Sequence, residues 1–188
     1  MSTLSVCCLA RNEELFLPKM LASVRDIADE IIILDTGSTD ATIELAKAFG
    51  ARVEIAEWNE DFGAMRNKVL SYATKDWVLM LDADEQITSE NSDRIQQAML
   101  KTGKAYSCTI LNVFPYQMVK SLLPMSSTRL FKRDIGLVYQ ERIHESVDSS
   151  LRKQTLMPLQ SEIEIHHYGF TDGKPLRRIR NRRSFEAE

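Results

Sequence analysis

The sequence predicts an α/β fold in which a mostly parallel central sheet is flanked by helices and continues into a mixed, β-rich C-terminal half. Two observations support this prediction. Four short apolar runs alternate with segments whose apolar residues recur at helical spacing, as expected for parallel strands covered on both faces. From about Lys104 the helical pattern gives way to shorter strand-like runs, so the second half should extend the same sheet.

Local signals in the sequence support each predicted element. The first strand is predicted from LSVCCLA, the first helix from LFLPKMLASVRDI and the second strand from DEIIILD. A second helix is predicted from STDATIELAKAFG, where Ser38 or Thr39 would cap it and Gly50 would end it. A third strand, a third helix, a fourth strand and a fourth helix follow in ARVEIAEW, EDFGAMRNKVLSYAT, DWVLMLDADE and TSENSDRIQQAMLKTG. The second half adds strands in AYSCTILNVF, STRLFKR and SEIEIHH.

Length and composition favour one domain at 1–188. The chain of 188 residues is 44% hydrophobic, enough to bury a substantial core. Its net charge of −3 gives no general reason to bind nucleic acid, so no such partner is expected. No signal peptide and no run of about 18 apolar residues is recognisable, which favours a cytoplasmic protein. Cys7, Cys8 and Cys108 lack C-x-x-C spacing and are predicted to be buried thiols.

Polar residues directly follow three of the predicted strands. They are Arg11, Asn12 and Glu13 after the first strand, Asp35 after the second, and Asp82, Asp84 and Glu85 after the fourth. Ligands of an open parallel sheet bind beyond the carboxyl ends of its strands, so these residues predict a polar ligand site.

Asp35 lies in D-T-G-S, which also marks aspartic proteases. A protease is disfavoured, because it needs two such turns on an all-β fold and this chain has one.

The D-A-D sequence at the end of the fourth strand predicts a metal site. Asp82 and Asp84 would form a compact, hard oxygen site that suits Mg²⁺ or Mn²⁺ with a bound diphosphate. Phosphatases of the haloacid dehalogenase type are an alternative, since they carry D-x-D-x-[T/V] after an apolar strand. Gln86 stands in place of Thr or Val, and the motif follows the fourth strand instead of the first.

Four segments, in this order, resemble the family 2 glycosyltransferases of the GT-A fold: CCLARNEELFLPKMLASV, DEIIILDTGSTDATIELAKAFGARV, WNEDFGAMRN and DWVLMLDADE. The resemblance is close over 4–90. It continues more loosely in RLFKRD, RIHE and HHYGF, patterns of the branch with lipopolysaccharide-core glucosyltransferases and peptide glycosyltransferases. It implies metal-dependent, inverting transfer of a sugar, most often from a UDP-sugar, to a glycan, lipid-linked or peptide acceptor. Under it, 1–103 would bind the nucleotide sugar and 104–170 would supply acceptor and catalytic residues.

The resemblance implies a role for each matching residue of the first half. The residues implied to contact the nucleotide sugar are Ala10, Arg11, Glu13, Asp35, Arg66 and Asp82. Among them, Asp35 would lie at the base or ribose, Arg66 would face the nucleotide from its helix, and Asp82 would approach the ribose and sugar. Asp84 would ligate the metal and take part in catalysis. An exposed helical arginine is the alternative for Arg66.

The general base that activates the acceptor hydroxyl should come from the second half. Glu145 in RIHES matches the family's I-H-E pattern and follows a strand-like piece, with Asp134 in KRD as the alternative. His144 would orient Glu145, contact the acceptor or be structural. His166 and His167 point to opposite faces of a strand, so at most one lines the site. The H-Y-G pattern matches His167, as a metal ligand or a hydrogen-bonded structural residue.

Two further points leave alternatives open. A basic helix is predicted at 171–188, where five arginines lie within 177–183. This helix would be a solvated surface or the start of a further region. Alternatively, its arginines would contact an anionic acceptor or the inner membrane surface. The second class of function is a catalytically inactive nucleotide-sugar-binding or partner module. The presence of Asp82, Asp84 and Glu145 argues against that module.

Overall fold

A computed structural model describes residues 2–113 and 124–169 of the chain. The elements of these residues follow in chain order as β1 (Leu4–Ala10), α1 (Leu17–Val24), β2 (Glu30–Asp35), α2 (Thr42–Ala48), β3 (Arg52–Ile55), α3 (Phe62–Ser71), β4 (Trp77–Asp82), β5 (Glu85–Gln86), α4 (Ser89–Leu100), β6 (Ala105–Asn112), β7 (Met125–Lys132), α5 (Asp148–Lys153) and β8 (Leu159–His167). A single 3₁₀ turn, Arg133–Ile135, follows β7. The strands and helices predicted from the sequence within these residues are all present.

The strands form one sheet in the order β3-β2-β1-β4-β7-β6-β8-β5. Strands β1 to β4 pair in parallel, which confirms the prediction for the first half. Strand β7 pairs antiparallel with both β4 and β6, so the second half extends the same sheet, as predicted. Short β5 follows β4 after two residues, yet it pairs with β8 at the far end of this order. The sheet therefore curls until β8 approaches the end of β4.

Helices cover both faces of the sheet, and β4 shows how the sequence achieves this. Leu79 and Leu81 pack in a core with buried residues of α1, α2 and α4 on one face. Val78 and Met80, which alternate with them, pack in a second core with residues of α3 and α5 on the other face. A strand that is buried on both faces reads as one apolar run, because neither set of alternating positions meets water.

Helix α2 begins later than the sequence predicts. It starts at Thr42, and its N-cap is Ala41, which has no side-chain group to accept a hydrogen bond. The prediction that Ser38 or Thr39 caps this helix is therefore wrong, because both residues contact the loop after β1 instead. The predicted end is confirmed, since Gly50 follows the helix with a φ of +83°.

The three cysteines are buried free thiols, as predicted. Burial raises the pKa of Cys7 to about 12 and that of Cys108 to about 11. Neither residue therefore supplies a thiolate at neutral pH, and both act as small apolar side chains.

Two predictions concern the membrane. Across residues 2–113 and 124–169, the structure contains no helix with both the length and the apolar character that a bilayer crossing requires. The predicted basic helix at 171–188, with its arginines at 177–183, lies outside the described residues.

Candidate active site

Short polar contacts join the loop after β1 to the loop after β2. The backbone N–H of Asn12 donates to Ser38 Oγ at 2.9 Å, and the N–H of Thr39 donates to Asn12 Oδ1 at 2.8 Å. Further along, the N–H of Glu13 donates to Thr42 Oγ1 at 2.8 Å. Asn12 has a φ of +56°, a left-handed conformation that these bonds help to hold. We name these two joined loops (10–14 and 35–42) the donor edge.

Asp35 shapes the D-T-G-S turn of the donor edge. Its side chain is buried, and Oδ1 accepts the backbone N–H groups of Gly37 at 2.9 Å and Ser38 at 2.8 Å. The hydroxyl of Ser38 donates to Oδ2. The turn belongs to a β-α-β unit, unlike the all-β turn of an aspartic protease. The contact of Asp35 with a nucleotide base or ribose stays a prediction.

The other three candidates near this edge have different surroundings. Ala10 is buried, and its carbonyl oxygen accepts the N–H of Thr36 at 3.0 Å. Glu13 is also buried, whereas Arg11 is exposed to solvent. Ala10 and Glu13 therefore help to fix the loop, while Arg11 is accessible from solvent. Their contacts with a nucleotide remain predictions.

The two aspartates of D-A-D have separate partners. Asp82 Oδ1 accepts from Arg66 Nη2 at 2.7 Å, and its Oδ2 lies 3.6 Å from Arg129 Nη2. Burial would raise the pKa of Asp82, but the two guanidinium groups hold it well below its usual range. Asp84 Oδ2 instead lies 3.3 Å from His167 Nε2. The two carboxylates therefore have different partners, and a compact metal site formed by both of them stays a prediction.

Asp84 and His167 fit as two ligands of one divalent ion. Two neighbouring ligands of an octahedral ion, each about 2.1 Å from it, are about 3 Å apart, and the two side-chain atoms are separated by 3.3 Å. Asn112 Oδ1 lies 2.7 Å from His167 Nδ1, where an amide oxygen can only accept a hydrogen bond. A neutral, metal-binding His167 would therefore carry its proton on Nδ1, with Nε2 directed towards Asp84. Burial would lower the pKa of His167, but the hydrogen bond and charge of Asp84 raise it above 6.5.

A metal at this place would need ligands besides the side chains of Asp84 and His167. Within residues 2–113 and 124–169, no group of three or more His, Cys, Asp or Glu side chains could hold an ion. Mg²⁺ and Mn²⁺ commonly take one or two protein ligands and complete their coordination with water and substrate phosphates. The pair of Asp84 and His167 matches that mode of binding.

Arg66 connects the end of β4 to Glu145. Its Nε donates to Glu145 Oε1 at 2.7 Å, while Nη2 donates to Asp82 at 2.7 Å. Arg66 is 6% exposed, which excludes the alternative of an exposed helical arginine. Sequence reasoning assigned Arg66 to the nucleotide and missed this link, because the sequence contains no signal that pairs positions 79 residues apart.

Glu145 lies in a tight loop between two short paired segments. The loop is closed by an antiparallel bridge between Gln140 and Ser146, so the expected strand-like piece before Glu145 is not a strand. Glu141 and His144 have φ angles of +74° and +60°, which are unfavourable for residues with a side chain. Strained backbone of this kind recurs at functional sites.

Asp134, the alternative candidate for the base, lies at the opposite end of β4 from Asp82. Its neighbour Arg133 donates from Nε to the carbonyl oxygen of Lys75 at 2.9 Å, and Lys75 precedes β4. Glu145 is instead linked through Arg66 to Asp82 at the end of that strand. A strand of this length spans roughly 17–20 Å, too far for Asp134 to act beside Asp82.

Arg129 and Glu85 complete the charge network, although sequence reasoning placed Glu85 only among the polar residues of this sheet edge and did not single out Arg129. Arg129 Nη2 donates to Glu85 Oε1 at 3.0 Å, and Glu85 Oε2 accepts the N–H of Asp82 at 2.8 Å. Burial raises the pKa of Glu85 to about 7, although Arg129 opposes this rise. In the sequence, the only sign of this network is that Glu85 is the third acid of D-A-D-E. Its pairing with Arg129 could not be predicted, because the two residues are 44 positions apart.

A small polar cavity of about 40 Å³ lies beside Glu145 and is also lined by Arg66, Arg129 and Tyr139. Within the described residues, the buried atoms Arg66 Nη1, Arg129 Nε and Tyr139 Oη have no hydrogen-bond partner. Burial raises the pKa of Tyr139 to about 12, so its hydroxyl keeps its proton. These donors can bind hydroxyl groups or water beside the carboxylate of Glu145.

Comparison with known proteins gives one family and several relatives. The model of the family described as Glycosyl transferase family 2 matches residues 5–157. A TPR repeat-containing protein of Synechococcus elongatus is 38% identical over 152 residues, or 80% of this chain and 37% of that protein. The SPbeta prophage-derived glycosyltransferase SunS of Bacillus subtilis is 32% identical over 146 residues, or 76% of this chain and 34% of SunS. The chain spans about a third of the length of these curated relatives.

Solved structures share the fold at low sequence identity. One is the glucosyl-3-phosphoglycerate synthase of Mycobacterium tuberculosis, in complex with Mn²⁺, uridine-diphosphate and glucosyl-3-phosphoglycerate. The TM-score is 0.63 at 17% identity, and the match covers 95% of this chain and 75% of the synthase. At this identity the similarity concerns the course of the backbone.

Proposed function

The chain belongs to glycosyl transferase family 2 and has the GT-A fold predicted from its sequence, and from this premise we propose that it is a metal-dependent, inverting glycosyltransferase. It moves a sugar of the hexose class from a UDP-sugar to a glycan, a lipid-linked glycan or a peptide. One observation carries the proposal: the pair of Asp84 and His167 lies beside Asp82, which shares Arg66 with Glu145.

The donor edge and the D-A-D turn would hold the donor together. The loops after β1 and β2 are fixed by their own hydrogen bonds at the sheet edge where parallel sheets bind nucleotides. Arg11 and Asp35 would contact the nucleotide there, and Asp82 would approach the ribose and sugar. The synthase of the same fold binds uridine-diphosphate with Mn²⁺, which supports UDP as the nucleotide and a divalent ion as the cofactor.

The chemistry requires a base opposite the leaving group. When bound by Asp84 and His167, a divalent ion would stabilise the negative charge that develops on the diphosphate. Glu145 would take the proton of the acceptor hydroxyl as that oxygen forms its bond to the anomeric carbon. The bond to the diphosphate oxygen breaks with its electron pair, and the configuration at the anomeric carbon inverts. The cavity beside Glu145 would accept hydroxyl groups of the sugar or acceptor.

The glycosyltransferase SunS, which is 32% identical to this chain, supports sugar transfer as the reaction. We also propose that the protein is cytoplasmic and contacts the inner membrane surface through the arginines at 177–183.

Release of UDP tests the proposal. The protein is incubated with UDP-glucose or UDP-N-acetylglucosamine, with and without Mn²⁺, and binding of UDP is followed by the shift in melting temperature. We expect UDP to stabilise the fold in the presence of Mn²⁺ and at least one donor to release UDP. Stabilisation without release from any donor of a wider UDP-sugar panel would favour an inactive binding module. No stabilisation by UDP would overturn the proposal.

A further inference from the structure

One face of α3 contacts the loop that carries Glu145. We name this segment, residues 139–146, the base loop. Three residues of α3, Gly63, Arg66 and Asn67, are spaced at i, i+3 and i+4 and therefore lie side by side on the helix. Each of them makes a different contact with the base loop. The helix follows the donor edge in sequence, yet this face is directed at the proposed catalytic residue of the other half.

Asn67 holds the start of the base loop through its side-chain amide. Its Nδ2 donates to the carbonyl oxygen of Tyr139 at 2.9 Å, and its Oδ1 accepts the N–H of Tyr139 at 2.7 Å. The amide thus pairs with both backbone groups of one residue, as a neighbouring strand would. An alanine at this position would leave both backbone groups of Tyr139 without these partners.

Gly63 allows the middle of the base loop to approach the helix. A Cβ atom on Gly63 would lie 2.5 Å from the carbonyl oxygen of Glu141, closer than van der Waals contact permits. Next to it, the N–H of Phe62 donates to the carbonyl oxygen of Arg142 at 3.1 Å. The first turn of α3 therefore receives a loop carbonyl where helix N–H groups lack partners within the helix.

Arg66 holds the end of the base loop. Its guanidinium donates to Glu145 through Nε and to Asp82 through Nη2, both at 2.7 Å. The guanidinium carbon also lies 5.6 Å from the centre of the Tyr139 ring, within cation–π range. Because the guanidinium is planar and rigid, it fixes the position of Glu145 relative to the D-A-D turn.

We propose that Gly63, Arg66 and Asn67 are positioning residues that align Glu145 with the acceptor hydroxyl. The inference rests on the proposed function, since it takes Glu145 as the general base. The family resemblance of the segment W-N-E-D-F-G-A-M-R-N implied only a contact with the nucleotide, through Arg66. The inference adds that this segment aligns the catalytic residue. A displacement of a reacting group by 1 Å can cost about 10²-fold in rate, so small shifts of the base loop should be measurable.

The first experiment compares Asn67→Ala with Lys68→Ala, a matched control at the next, exposed position of the same helix. UDP release from a saturating UDP-sugar is measured with Mn²⁺ and water as the acceptor, and UDP affinity is measured separately. We expect Asn67→Ala to lower the release rate about 10- to 10²-fold with unchanged UDP affinity, and Lys68→Ala to match the parent. Unchanged release in Asn67→Ala, or an equal loss in the control, would overturn the inference.

Backbone amide hydrogen exchange separates displacement of the loop from general unfolding. In Asn67→Ala, exchange should rise in the base loop and stay at the parental rate in β1 and β4. Gly63→Ala provides a second variant in case the first does not fold, and it should show the same confined change. Parental exchange of the base loop in a folded variant would contradict a positioning role.

A double-mutant cycle distinguishes this inference from the assignment of the base. If Asn67 acts through Glu145, Asn67→Ala should cause no further loss in a Glu145→Gln background. Losses that multiply would show that Asn67 acts elsewhere, and they would overturn the inference. A parental rate in Glu145→Gln alone would overturn the base assignment in the proposed function. A loss in Glu145→Gln with none in Asn67→Ala would overturn only the positioning role.

Discussion

The donor edge and the base loop are built differently. The donor edge is held by hydrogen bonds in which backbone N–H groups are the donors. These bonds join neighbouring loops, for example at Asn12 and Ser38. The base loop is held by contacts from a helix distant in sequence, including an ion pair between residues 79 positions apart. The donor edge is thus a product of one β-α-β unit, whereas the base loop takes its position from the assembled domain.

This difference predicts separate responses to mutation. Changes in the base loop should alter the rate of sugar transfer and leave nucleotide affinity intact, because its side chains do not form the donor edge. Changes in the donor edge should alter affinity even without a metal. The predictions below test that separation, beginning with the largest expected effect.

Replacing Glu145 by Gln should lower the rate of UDP release by about 10²- to 10⁴-fold, because removal of a general base has an effect of this size. UDP affinity should remain at the parental value, since the isosteric side chain keeps its place in the loop. Steady-state kinetics and calorimetric titration with UDP measure the two quantities. A large loss of UDP affinity would show that the two regions are not separate.

Replacing Asp84 by Ala should lower the affinity for Mn²⁺ by at least about 10²-fold, as one of two protein ligands is lost. UDP should then bind with the same affinity with and without Mn²⁺, which titration in both buffers would reveal. The fold should persist, because the Asp84 carboxylate is paired with His167, the other candidate metal ligand, and its loss leaves the residues of both apolar cores unchanged. An undiminished response to Mn²⁺ in this variant would refute the metal assignment.

The affinity for UDP in the presence of Mn²⁺ should fall as the pH is lowered from about 8 to about 6. His167 must lose the proton on Nε2 to bind a metal, and its pKa is raised above 6.5. Below that raised pKa, protons compete with the metal, with a loss of up to about tenfold per pH unit. Titration without Mn²⁺ over the same range serves as the control. An affinity with Mn²⁺ that does not change with pH would argue against His167 as a ligand.

Replacing Asp35 by Ala should weaken UDP binding several-fold even without Mn²⁺, because the D-T-G-S turn loses its central acceptor. The free energy of unfolding should fall by about 1–3 kcal/mol, since two backbone N–H groups lose their partner. Urea denaturation and metal-free titration measure these effects. A loss of UDP affinity that occurs only with Mn²⁺ would place Asp35 in the metal site instead.

Particular residues show which features of the structure could be predicted from the sequence. The apolar runs and the helix ends predicted the elements, and the D-A-D and I-H-E patterns led to Asp84 and Glu145. Sequence reasoning failed for the cap of α2, because the side chains of Ser38 and Thr39 bind the neighbouring loop instead. The sequence could not separate Glu145 from the alternative Asp134, whereas the structure places Asp134 at the opposite end of β4 from Asp82.

The sequence by itself determined the order of strands and helices, the two apolar faces and the polar ends of the strands, because these depend on periodicity and on nearby residues. The tertiary structure alone decided the partners of the charged residues. Arg66 joins Asp82 to Glu145, and His167 reaches Asp84, because the sheet curls and brings its last strand to the end of β4. Ion pairs depend on distances of a few ångströms between residues far apart in the chain, and such distances exist only after the domain has folded.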